Sequence, residues 1–225
     1  MKIKLIQEKK IKVPTLAGWM VIGIFLVALL CAFVAGINPF LSLNKPVDTK
    51  VMVVEGWLPD YAIKEALDEF NRNHYSLCIT AGIAIDKGFF LSQYATYAQL
   101  AAETLKKLGM DSSKLAVVSS PEVKVDRTFA CACAVRAWIQ KSGLSINGIN
   151  VISLGPHSRR TLLLYRHAFN SGKREGDRKP MRIGIESFDD ITYDRSMWWK
   201  RSNGFRAVTD ELIAYLYARL VFVFK

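Results

Sequence analysis

The stretch INVISLGPHSRRTLLLYRHAFN, residues 149–170, decides the fold. Its first six residues form a short apolar run of strand character. Gly155 and Pro156 break that run, and residues 158–170 read as a helix, so the unit is strand, turn, helix. The same succession recurs on either side of it. Residues 51–54 precede a helix at 61–71 with Ile63, Ala66, Leu67 and Phe70 on one face, and Asp60 is placed to cap it. Residues 77–80 precede a helix at 93–108, with Tyr97, Leu100, Ala101, Leu105 and Leu108 expected inward. Residues 115–118 precede a helix at 126–141 that Gly143 ends. A fifth strand, 182–185, leads through a polar turn to a last helix at 207–224, where Val208, Leu212, Leu216, Leu220 and Val223 make a stripe expected to pack on the sheet, with the membrane surface as its alternative. Short apolar strands alternating with amphipathic helices are what a parallel sheet covered on both faces requires. The expectation is an α/β three-layer fold with about five parallel strands in the order 3-2-1-4-5.

Towards the N-terminus the composition changes. No charged side chain occurs between Lys12 and Lys45, and the apolar run 16–37 would reach about 33 Å as a helix, enough for a hydrocarbon core of roughly 30 Å. It reads as one transmembrane helix. A cleaved signal peptide is the alternative, with Ala32 and Ala35 near its end; a lipid-modified Cys31 is disfavoured because Leu30 precedes it. Five lysines lie before the span and two, Lys45 and Lys50, soon after it, which predicts a cytoplasmic N-terminus. Residues 1–15 are then a cytoplasmic basic tail, 38–49 an extended linker, and 50–225 a single exported domain, periplasmic in a double-membrane bacterium.

The formal net charge is +11, of which the five lysines and one glutamate of the N-terminal segment supply four. The basic excess left on the domain suits anionic headgroups, phosphates or envelope polymers, or is a solvated surface with no partner; nucleic acid is not expected outside the cytoplasm. Cys131 and Cys133, two apart on a helix, point in different directions and lack the second pair that a zinc site needs, so a packing role is expected and no metal.

In open parallel sheets, ligands bind beyond the carboxyl ends of the strands where the order reverses. With the order above, the turn after strand one (Glu55, Gly56, Trp57) meets the turn after strand four (Gly155 to Arg160) there. A helix start with basic side chains favours an anion. His157 and Arg160, three apart, share a face, so arginine could clamp two oxygens while histidine bonds or transfers a proton; a capping histidine with surface arginines is the plain alternative. Gly82 would allow close backbone approach, and Arg127 and Thr128 open the third helix after Asp126. Trp198 and Trp199 could line a pocket, lie at the bilayer interface or fill the core. No P-loop, dinucleotide glycine triplet or Gly-x-Ser-x-Gly elbow is found.

The ordering of these turns resembles the bacterial YdcF, SanA and ElyC family, over roughly residues 50–220. Four places carry it: VVEGW at 53–57, TAG at 80–82, DRT at 126–128 and GPHSRR at 155–160. The resemblance implies a Rossmann-like domain held at the inner membrane and acting in envelope integrity or surface-polymer and lipid-carrier metabolism. It implies a site at Gly56, Gly82, Thr128, His157 and Arg160, with Arg127 and Arg159 beside it and His157 and Glu55 as catalytic candidates. One soluble member binds S-adenosylmethionine, which is the sole cofactor the resemblance suggests. The Glu-Asn that usually follows the threonine is here Ala130-Cys131, and Ala81 stands where glycine is common. The expected ligand is phosphate-bearing or nucleotide-like, including a lipid-linked sugar. A non-catalytic factor recruiting envelope-assembly proteins is the alternative; a cytoplasmic methyltransferase is a third.

Overall fold

The computed structural model describes residues 12–86, 92–171 and 180–222. The chain divides into two units, Met1–Ile37 and Asn38–Lys225. The first is dominated by α1, Leu16–Leu41, a 26-residue helix whose last turn crosses into the second unit. It is long and apolar enough to cross a bilayer, and its large side chains, among them Trp19, Ile24, Phe25 and Leu30, are exposed.

The second unit holds β1 (Val51–Glu55), α2 (Asp60–Arg72), β2 (Leu77–Gly82), α3 (Tyr97–Lys107), β3 (Leu115–Ser119), α4 (Arg127–Lys141), β4 (Gly148–Leu154), α5 (His157–Asn170), β5 (Arg182–Phe188) and α6 (Ser202–Tyr217). The five strands are all parallel, in the order β3-β2-β1-β4-β5. The predicted α/β Rossmann-like sheet and its strand order are therefore present. Strand side chains alternate between two cores, as the period of two demands. Val51, Val53, Ile149, Val151 and Ile185 face α4 and α5, through Val135, Ile139, Leu162 and Tyr165. Met52, Val54, Cys78 and Ile152 face α2 and α3, through Ile63, Ala66, Phe70 and Leu105.

Several local readings differ from expectation. The stretch 38–49 is not a free linker. Asn38–Leu41 complete the last helical turn, Ser42 Oγ donates to Asn38 Oδ1 (2.9 Å), and Asn38 Nδ2 donates to the Arg195 carbonyl (2.9 Å). Further on, Lys45 pairs its backbone with Ile185. The buried Asn150 amide accepts from Val47 N (2.8 Å) and donates to Val47 O (2.9 Å), standing in for a strand partner.

Asp60 is the first residue of α2 and makes no cap bond, because Pro59 occupies the capping position. The second helix starts at Tyr97, where Thr96 and Gln99 form a reciprocal capping box. Its buried face is Ala98, Ala101, Ala102 and Leu105, while Leu100 and Leu108 are exposed. Finally, α6 packs on α5 and on the 3-10 turn Arg195–Lys200. Of its stripe Val208 is buried, whereas Leu216 and Leu220 face solvent; Val223 lies outside the described residues. The chain then widens into a π-helical turn, Ala218–Phe222.

Candidate functional site

The sheet order reverses between β1 and β4, and both strands end in residues that meet. Glu55, the last residue of β1, is only 4% exposed. Its Oε2 accepts from Ser153 Oγ on β4 (2.6 Å), and Thr161 Oγ1 on α5 is 3.4 Å from Oε1. Above it stands His157, the first residue of α5. The turn that delivers it needs Gly155 at φ +45°, a backbone conformation that side chains resist.

His157 is set between two carboxylates. Its Nε2 is 3.5 Å from Glu55 Oε1 and its Nδ1 is 2.7 Å from Glu211 Oε1 on α6. Arg160, one helical turn along α5, grips the same Glu211 with two nitrogens: Nε to Oε2 at 2.8 Å and Nη2 to Oε1 at 2.9 Å. Such a fork is the strongest geometry open to an arginine. Arg160 Nη2 also lies 2.9 Å from His157 Nδ1. Two donors approach this closely because one carboxylate oxygen accepts from both.

Electrostatics follow from that arrangement. Burial pulls the His157 pKa down, but the charges of Glu55 and Glu211 outweigh it and raise it to about 9. The setting favours the imidazolium: Nδ1 donates to Glu211, while Nε2 faces Glu55 at ion-pair distance and makes no hydrogen bond. Burial raises the Glu211 carboxyl pKa, but His157 and Arg160 more than offset it and hold it well below the ordinary 4.5. Burial is the largest single influence on Arg160 and lowers its pKa, but the hydrogen bond and charge of Glu211, with Glu55 and Asp126, together raise it. Glu55, His157, Arg160 and Glu211 thus form a closed quartet of two negative and two positive charges. A general-base role for His157 needs a neutral ring, which this setting disfavours; a donor role fits it.

A cleft of about 540 Å³ opens over the quartet. Trp57, with its ring 5.0 Å edge-on from His157, forms one wall, and Ala214, Tyr217 and Phe222 another. The start of α4 supplies the third, with Lys124, Arg127 and Thr128. There Asp126 takes φ +55° and makes no side-chain cap bond, so the first amides of α4 receive no cap from it. Arg127 pairs with Asp86 (3.0 Å) at the surface. A smaller cavity of about 80 Å³ continues below, from Trp57, Arg127 and Thr128 to Glu55, Gly82, Tyr97 and Cys131. The Cys131 thiol is pushed up to about 12 by burial and by Glu55, so it is no nucleophile near neutrality.

The structure therefore places Glu55, Arg127, Thr128, His157 and Arg160 around cavities that share Trp57, Arg127 and Thr128. Arg159 is not among them. One residue earlier on the helix it points about 100° away. Its guanidinium sits 3.8 Å over the Phe40 ring and donates to the Phe40 carbonyl. Gly56 and Gly82 have a packing task as well. A Cβ on Gly56 would lie 2.6 Å from the Tyr97 carbonyl group, and one on Gly82 2.5 Å from Ala98 N, so both let the start of α3 close onto the strand ends. Trp198 is buried and Trp199 exposed, and neither lines these cavities.

The residue that sequence reading missed is Glu211. Its signal is an acid beside Asp210, between Val208 and Leu212 of the apolar stripe, on the last helix and far from the motifs it completes. Glu211 also occupies the anion seat expected at His157 and Arg160. No group of three or more His, Cys, Asp or Glu among the described residues could hold a metal. Compared with models of known protein families and with curated proteins, the chain matches none.

Proposed function

We propose that the chain is a single-pass inner-membrane protein of the YdcF, SanA and ElyC type. Its N-terminus is cytoplasmic and its domain periplasmic, and it acts in envelope biogenesis or integrity by binding a phosphate-bearing ligand such as a lipid-linked sugar. The reading rests chiefly on the cleft at the strand-order switch, where the open end of α4, Lys124, Arg127 and the unshared edge of Arg160 converge. The Arg160 Nη1 makes no hydrogen bond among the described residues, and a dianion entering the cleft meets it together with the α4 amides. An imidazolium at His157 adds positive potential behind them.

The test is the thermal midpoint of the detergent-solubilised full chain against inorganic phosphate, nucleotide sugars, a short polyprenyl phosphate and S-adenosylmethionine. A ligand held at 100 times its Kd adds about 2.7 kcal/mol, and Arg127→Ala, on the surface, weakens that gain without unfolding the chain. Absence of any shift in a cooperatively folding sample would turn the weight to a second reading. That reading, a non-catalytic partner-binding factor, draws on the ion pairs by which Glu211 already engages His157 and Arg160.

A further inference from the structure

Helix α6 has two unlike faces. The inner one places Gly204 and Val208 in the core and presents Glu211, Ala214 and, just beyond, Ala218 to the cleft. On the outer face Phe205, Thr209, Ile213, Leu216 and Leu220 follow at spacings of four, four, three and four residues, which is one line along a helix. Four of these five are large and apolar. All four are exposed, from 45% at Leu216 to 67% at Ile213. Lys200, Arg201 and Arg206 stand at the N-terminal end of the strip, against Asp210 alone within it. Trp199 and Tyr217, both exposed, flank it.

The position of the strip in the chain matters. Tyr215, on α6, packs edge-on against Phe40 with ring centroids 5.7 Å apart. Phe40 is three residues beyond Ile37, where the expected span ends, so no more than about 10 Å of chain separates that contact from the bilayer surface. An apolar line with basic and aromatic flanks, held that close to a membrane, is the pattern of a helix that lies in the interface.

We propose that the outer face of α6 seats in the headgroup and upper acyl region of the leaflet on the domain's side of the membrane. The cleft wall formed by the inner face then opens at headgroup level, with Tyr217 and Phe222 at its rim, which suits an anion carried on a hydrocarbon chain. That corollary rests on the anion-binding reading above; the docking rests on α1 spanning the membrane.

Both are separable in one experiment. The full chain is reconstituted in nanodiscs of zwitterionic and anionic phospholipid doped with a diazirine-bearing phospholipid, irradiated, and mapped by tryptic mass spectrometry. Peptides 207–219 and 220–225 acquire lipid adducts at a yield roughly ten times that of 142–159, which holds the exposed Leu144, and within a few-fold of 13–50, which holds the span. The pair Ile213→Glu and Leu216→Glu lowers 207–219 to the 142–159 level while leaving the melting midpoint near the parent's, since both side chains are already in water in the fold. Labelling of 13–50 without 207–219 overturns the docking and leaves the anchor standing; labelling of neither overturns both. Adducts that persist in the Glu pair, or crosslinks from 207–219 to a second copy in place of lipid, also overturn it.

Discussion

His157 is the residue through which the site responds to pH. Its folded pKa of about 9 is above the ordinary 6.5, so the stability contributed by its ionised ring is complete below about pH 6.5 and is lost as the pH rises through 9. Glu211 acts in the opposite sense: its folded pKa is depressed below 4.5, so its contribution is present above that value and fades as the pH falls. The two overlap most fully between about pH 4.5 and 6.5. Unfolding curves of the parent are expected to weaken between pH 7 and 9.5, whereas those of His157→Gln stay nearly flat there. A resonance assigned to the His157 ring that titrates near 6.5 in the folded domain would contradict the carboxylate sandwich. At this scale the sequence was partly legible. The three-residue spacing of His157 and Arg160 put both on one face, and that is where they are. Arg159 was grouped with them by adjacency, although neighbouring helical residues diverge. Glu211 carries only a weak local signal, because its partners His157 and Arg160 come from another helix.

At the scale of elements, β1, β2 and α3 meet through missing side chains. Gly56 and Gly82 read as places for a ligand to approach backbone; the backbone that approaches is that of Tyr97 and Ala98. Gly82→Ala must push α3 off the strand ends, and a loss of about 3 kcal/mol in chemical denaturation is expected, at the upper end of overpacking costs. Thr96→Ala removes one half of the capping box and should cost about 1 kcal/mol by the same measurement. Strands and helices could be read from the sequence because their periodicity is set by burial, which is local in the chain. Helix starts were less legible: Pro59 displaced the expected cap at Asp60, and the polar run before Thr96 carried no feature that separated loop from first turn. The last helix is legible as a helix, but packing on the sheet is not the lot of its whole stripe: successive turns meet the core, the cleft and solvent.

Across the whole molecule, the quartet joins β1, α5 and α6, so Glu211 both completes the site and fastens the last helix. Glu211→Gln leaves two buried cations without half of their compensation, and a destabilisation of about 3 kcal/mol is expected. Amide exchange should show the loss concentrated in residues 207–219; a uniform loss across the domain would mean that α6 is held by other contacts. The order of synthesis adds a consequence. Of the four, Glu55 is made first, His157 and Arg160 next, and Glu211 last, 156 positions after Glu55. A chain emerging N-terminus first therefore holds a half-built centre between Arg160 and Glu211, with a histidine and an arginine side by side and a single carboxylate to answer them. In that interval the ring is easier to deprotonate and the arginine is open to any passing anion. The site acquires its full set of charges when α6 arrives, which makes its assembly a timed event and its protonation state a record of that helix having docked.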